Sequence, residues 1–264
     1  MPPETQTVKI GDVRVRMHRA GKGPPLLFLH GADGYSQWLP FFDALAEQYD
    51  LLVPEHPGYG ASDDPPLIRN IADMAMFYLD FLETLDLRDV HIVGHSMGGW
   101  IAAELLIRDQ SRAKSLTLIS SAGIRVEGVP SGDLFIWNRE ELLRNIFYNQ
   151  AYADIALSLQ PTEQQLDTML KNRFTSTKLG WQPRWYNPDL EKWLHRIKLP
   201  SLILWGDNDK VMPSDYAGLW RERLPDARLV IIEKCGHVPQ VEKLSETIDP
   251  LRDFLAEIGA EVAP

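Results

Sequence analysis

Apolar residues along the chain follow two different patterns. Near the N-terminus Val13, Val15 and Met17 alternate with Arg14 and Arg16, the period of two expected of a half-buried antiparallel strand. Farther on they cluster. Positions 26–29, 51–53, 90–93, 116–119, 202–205 and 229–232 are short, nearly unbroken apolar runs. Strands covered on both faces read this way, so these runs predict a parallel sheet.

Helical spacing fills the gaps between the runs. Met74, Phe77, Tyr78, Phe81, Leu82 and Leu85 recur every three or four positions across 71–85. Segments 98–107 and 244–258 also read as helices. Alternating strand and helix predicts an α/β fold, a mostly parallel sheet with helices on both faces. The alternation stops between 122 and 196. Helix-like pieces at 139–147 and 163–172 lie there, separated by loops holding Pro130, Pro161, Pro183 and Pro188. A structureless loop of that length is unusual in a compact chain. The expected organisation is therefore a core domain from 1–121 and 197–264, with a helical cap at 122–196.

The strongest chemical signal is Gly94-His95-Ser96-Met97-Gly98-Gly99, between the run at 90–93 and a helical stretch starting at Trp100. Strand, sharp turn and helix with serine at the turn make a nucleophile elbow. The flanking glycines let the two backbones approach where a Cβ would clash. A phosphate loop is excluded here, because neither Gly-x-Gly-x-x-Gly nor a Gly-Lys-Ser/Thr ending is present. A serine hydroxyl needs a base to take its proton. His237 lies directly after the last apolar run, in Cys235-Gly236-His237-Val238-Pro239. His30, His56 and His91 come too early for the order serine, acid, histidine; His95 is expected to point elsewhere, and His195 ends the cap. The base in turn needs an acid. Asp207 and Asp209 both follow the run at 202–205, and spacing does not choose between them.

These pieces, with His30-Gly31 and Pro57-Gly58-Tyr59-Gly60-Ala61-Ser62, run from about residue 26 to the end of the chain in one order. The chain resembles an α/β-hydrolase, specifically a small capped serine hydrolase. The resemblance implies that Ser96, His237 and Asp209 form a catalytic triad, with Asp207 in support. It also implies an oxyanion hole made by the backbone N–H groups of Ala32 and Met97. Asp33, next to that loop, is expected to turn away and bond the loop backbone. Glu55 stands where the family often has aspartate.

Composition narrows the function. The chain has 264 residues, 44% hydrophobic and 24% charged, so disordered and fibrous classes are excluded. A net charge of −10 gives no footprint for nucleic acid or anionic membranes. Cys235 is the single cysteine, which fits a reducing compartment, and no signal-peptide or membrane-spanning run is visible. A cytoplasmic monomer or homodimer acting on a small-molecule substrate is expected, with no cofactor and no metal site. Aromatic rings enrich the cap. Tyr35, Trp38, Trp137, Trp185 and Val238 are the expected pocket side chains, and one of Arg125, Arg139, Arg144, Arg173 and Arg184 turned inward would anchor a carboxylate.

The reading is an esterase for small or aromatic acyl groups, working through an acyl-enzyme. The resemblance also brings in hydrolases that cleave carbon–carbon bonds of dienoic ring-fission products. Their usual markers differ at His95, Val238 and Asp33-Gly34-Tyr35. A binding module that keeps the triad without turnover is the third reading.

Overall fold

The computed structural model describes residues 3–35 and 37–260, so the outermost ends of the expected core domain lie outside the described residues. Glu4–Ile10 (β1) and Val13–Ala20 (β2) form an antiparallel hairpin, and β2 pairs antiparallel with Asp50–Pro54 (β4). Pro25–Leu29 (β3), Val90–His95 (β5), Ala113–Ile119 (β6), Ser201–Gly206 (β7) and Ala227–Ile232 (β8) complete the sheet. Its order is β1-β2-β4-β3-β5-β6-β7-β8, and every pairing from β4 to β8 is parallel. Each of the six apolar runs falls within one of β3–β8.

The runs are unbroken because both faces are covered. In β3, Leu27 and Leu29 face one hydrophobic layer, and Leu26 and Phe28 face the other. The first layer is closed by Ile71–Thr84 (α2), Met97–Leu106 (α3) and Asp215–Arg223 (α8). Phe41 and Phe42 of Pro40–Ala46 (α1), with Leu251, Phe254 and Leu255 of Leu244–Ala260 (α10), close the second. The chain is thus an α/β fold with helices on both faces.

Between β6 and β7 the chain inserts Arg139–Ile146 (α4), Gln150–Ser158 (α5), Glu163–Gly180 (α6) and Leu190–Trp193 (α7), the last continuing as a 3-10 turn to Arg196. Capping boxes at Asn138/Glu141 and Thr162/Gln165 start α4 and α6. Helix α6 runs well past residue 172, where the sequence pattern stops. Its buried positions are Asn172, Thr175, Ser176, Leu179 and Gly180. That spacing is helical, but the stripe is mostly polar, so a hydrophobic period misses it.

The polar stripe docks the insert on the core by hydrogen bonds. Asn172 accepts from Gly60 N at 2.9 Å and donates to Asp33 O at 2.9 Å. Thr175 Oγ1 donates to Gly58 O, and Lys171 Nζ donates to the carbonyls of Gly60 and Ser62. Ser176 Oγ donates to Ala32 O and accepts from the Tyr59 hydroxyl.

Candidate active site

Ser96 stands between β5 and α3 with φ +52° and ψ −118°, a conformation L-residues rarely adopt. The neighbouring glycines make this turn possible. A Cβ on Gly98 would lie 2.0 Å from Leu29 O, and one on Gly94 would lie 2.5 Å from Gly98 O. Ser96 N donates to Ile119 O, and Ser96 O accepts from Gly99 and Ala122. The strained turn is therefore held from both sides.

His237 reaches Ser96 from the loop after β8. Its Nε2 lies 3.0 Å from Ser96 Oγ, and its Nδ1 lies 2.8 Å from Asp209 Oδ2. All three residues are buried: Ser96 at 5%, Asp209 at 4% and His237 at 5% exposure. Asp209 is fixed because its other oxygen accepts from Val211 N and Met212 N, each at 2.8 Å. A carboxylate so placed can only accept from Nδ1–H. That leaves the Nε2 lone pair facing the serine hydroxyl.

The histidine loop is tied down by several hydrogen bonds near the ring. His237 N donates to Ile146 O at 2.7 Å, and His237 O accepts from His95 Nε2 at 2.9 Å. Gly236 N donates to Glu242 Oε2 at 2.8 Å. Glu242, in the short helix Pro239–Glu242 (α9), also accepts from Tyr148 N and Asn149 N of the insert. Glu242 is not marked in the sequence, because a lone glutamate after Pro239 carries no pattern of its own.

The loop carrying Ala32 rests on a histidine pair. His30 Nδ1 donates to Gly31 O, and His30 Nε2 accepts from His56 N. His56 Nε2 donates to His30 O, and the Tyr78 hydroxyl bonds its Nδ1. Burial lowers His30 to about 4 and His56 well below its usual value, so both rings are neutral near pH 7. Ala32 N and Met97 N have no acceptor among the described residues. Two free N–H groups flanking a serine can receive the oxyanion of a tetrahedral intermediate.

Asp207 is exposed and stands apart from His237. Its Oδ1 accepts from Cys235 N at 3.2 Å and from Asn208 Nδ2 at 2.7 Å. Partial burial acts to raise its pKa, but those hydrogen bonds outweigh it and leave the carboxyl below its usual range. His95 turns from the serine to the His237 carbonyl, and burial, with His237 nearby, lowers it to about 3. Cys235 is buried, its thiol pushed up to about 12 by burial and the acids around it.

Asp33 corrects one expectation. Its side chain does not bond the loop backbone and has no hydrogen bond among the described residues; only its carbonyl is bonded, to Asn172. Together with Ala32, Phe135, Arg173, Ser176 and Trp185 it lines a cavity of about 20 Å³. Asp33 is exposed as a whole residue. Burial raises its carboxyl above the usual range, and Arg173 and His237 oppose the rise.

The five expected pocket side chains separate. Trp185 lines this cavity and a second of about 160 Å³. Tyr35 and Trp38 pack on the opposite layer, where Tyr35 OH donates to Val53 O and Trp38 Nε1 donates to Asp43. Those bonds and that layer hold the two rings away from the pocket. Trp137 covers Gly132, and Val238 opens α9 after His237.

Residues 24–244 match the family model for the alpha/beta hydrolase fold. The chain belongs to the α/β-hydrolase family. Among its relatives, this α/β-hydrolase is 27% identical to Lipase 1 of Psychrobacter immobilis over 255 residues, covering 90% of the chain and 79% of the lipase. It is 24% identical to 2-hydroxymuconate semialdehyde hydrolase of Pseudomonas sp. (strain CF600), covering 94% of the chain and 92% of that enzyme. Its structure is similar to that of a membrane phospholipase A described as a bacterial virulence factor, with TM-score 0.81, 29% identity, and coverage of 97% and 87% of the two chains. No helix among the described residues of the α/β-hydrolase is long and apolar enough to cross a membrane, and no group of three or more His, Cys, Asp or Glu among them could hold a metal ion.

Proposed function

We propose that this α/β-hydrolase is a serine esterase for small or aromatic acyl groups, with Ser96 as nucleophile, His237 as base and Asp209 as its acid partner. The observation that carries the reading is the buried chain of contacts from Asp209 Oδ2 through His237 to Ser96 Oγ, at 2.8 and 3.0 Å. Ser96 adds to the ester carbonyl while its proton passes to His237 Nε2. The oxyanion sits between Ala32 N and Met97 N. The alkoxide leaves with the proton returned by His237, and water repeats the sequence on the acyl-enzyme. Residues 122–196 act as the cap. Their docking over Ala32 and His237 encloses the serine, and enclosure favours compact substrates over long chains.

The similarity to 2-hydroxymuconate semialdehyde hydrolase supports a second reading, carbon–carbon cleavage of a dienoic acid. His95 and Val238 differ from the markers of such enzymes and weigh against it. Parallel assays on phenyl acetate, a graded series of acyl chain lengths and a ring-fission dienoic acid test the choice. Phenyl acetate should be cleaved fastest, with Ser96→Ala as an inactive blank. Faster cleavage of the dienoic acid would overturn the ester reading, and turnover of neither would make the protein a binder.

A further inference from the structure

A surface helix ordinarily turns its apolar side to the core. Helix α6 does the reverse. Asn172, Thr175 and Ser176 are buried against the core, whereas Leu166, Met169, Leu170 and Phe174 are 45–67% exposed. At about 100° per residue, Leu166, Leu170 and Phe174 lie nearly opposite the buried stripe, with Met169 at their flank. None of the four packs in either hydrophobic layer. Ile155 and Leu159, at the end of α5 that leads into α6, are exposed as well. Apolar surface gathered in this way marks an interaction face.

The charges indicate what covers it. Residues 122–196 hold nine basic and nine acidic side chains, so the formal charge of −10 is carried entirely by the rest of the chain. Two cores repel each other, and the insert is the side on which two copies can approach without net repulsion. Along α6 the charge changes sign at Leu170. Glu163 and Asp167 precede it; Lys171 and Arg173 follow it, and Lys178 is already paired with Asp64. An antiparallel pair of α6 helices sets the acidic half of each beside the basic half of the other, whereas a parallel pair sets like beside like.

The apolar stripe has the same symmetry as the charges. With a two-fold axis beside Leu170, that residue meets its own copy. Leu166 and Phe174 stand four residues to either side, about 6 Å along the helix, so each meets the other across the axis. A lipid surface would also cover the stripe, but anionic headgroups would oppose Glu163 and Asp167, which share its side of the helix.

We propose that the outer face of α6 is a homodimer interface, on which two copies of this chain meet antiparallel about a two-fold axis at Leu170. The interface is independent of the esterase reading, and none of the measurements that test it uses hydrolysis.

Sedimentation equilibrium between about 1 and 100 µM protein should show the mass rising from one chain toward two. Leu170→Lys sets two ammonium groups against each other at the axis and should hold the protein at one chain over the same range. Its urea midpoint should match the parent's, since Leu170 is exposed within one copy. Cysteine variants read the register, because the native Cys235 is buried and the parent serves as the blank. Leu170→Cys should give a disulfide-linked dimer under mild oxidation. Leu166→Cys should not link to itself, being about 12 Å from its copy along the helix, but should link to Phe174→Cys when the two are mixed. Met76→Cys, also exposed but on α2, controls for random collision. A single-chain mass throughout, or a dimer that persists in Leu170→Lys, would overturn the interface. Self-linked Leu166→Cys would overturn the antiparallel register. A single-chain protein that floats with phosphatidylcholine vesicles, and loses that binding in Leu170→Lys, would assign the stripe to lipid instead.

Discussion

The hydroxyl of Ser176, in the insert, donates to the carbonyl oxygen of Ala32 at 2.5 Å, across 144 residues of chain. The same hydroxyl accepts from Tyr59 at 2.8 Å, and Tyr59 packs edge-on against His30. The loop that presents Ala32 N beside Ser96 is thus held from below by the histidine pair and from above by α6.

Ser176→Ala should therefore slow turnover without unfolding the protein. Alanine keeps the helix but leaves Ala32 O without its partner, at about 1–3 kcal/mol, while the Tyr59 hydroxyl keeps its bond to Met97 Sδ. With Ala32 less well fixed, kcat for phenyl acetate should drop about tenfold and KM should change less, because an oxyanion donor acts mainly in the transition state. Equal losses in kcat and in urea resistance across several unrelated buried serine variants would reduce Ser176 to a packing residue.

Glu242 has the corresponding role at the histidine. Its carboxylate receives N–H groups from Gly236 and from Tyr148 and Asn149 of the insert. Glu242→Gln puts an amide NH₂ against one of those donors, so at least one hydrogen bond is replaced by a repulsion between two N–H groups. We expect kcat to fall by about tenfold or more, with Glu242→Asp recovering part of it, and the unfolding midpoint to drop. Full activity in Glu242→Gln would show that the loop keeps His237 in place without this clamp.

The two aspartates differ in what they touch. Asp209 holds His237 Nδ1, whereas Asp207 holds Cys235 N. Asp209→Asn should cost about 10⁴ in kcat, because asparagine favours the wrong imidazole tautomer and cannot offset the imidazolium charge. Asp207→Asn should cost far less. Reversal of that order would break the proposed triad.

Acid should weaken the fold before the carboxylates titrate. Burial holds His30 and His91 at about 4 and His95 at about 3, with His56 lowered still more strongly. Unfolded imidazoles take up protons near pH 6.5. Below that pH the unfolded chain binds more protons than the native one, so stability is complete above about 6.5 and falls as the pH drops toward 4. Urea midpoints should decline between pH 7 and pH 5 and be level between 7 and 8. A constant midpoint down to pH 5 would mean that these rings are protonated in the native state.

Much of this architecture is legible along the chain. The six apolar runs mark β3–β8 because strands buried on both faces need no polar alternation. Ser96 is marked because a strand-to-helix turn this sharp needs Gly94 and Gly98. His237 is marked by its place after the last strand. Asp209 and Asp207 are alike by spacing. Resemblance to a family points to Asp209, and the turn itself explains the difference, since it aims one carboxylate at His237 and the other at Cys235. The reach of α6 beyond residue 172, the clamp at Glu242 and the place of Asp33 at a cavity wall leave no trace in the pattern. Hydrophobic periodicity records which positions leave water for apolar neighbours. The insert meets the core through polar side chains and backbone carbonyls brought together from opposite parts of the chain, and the partners of a hydrogen bond are chosen by direction in space, which only the tertiary structure supplies.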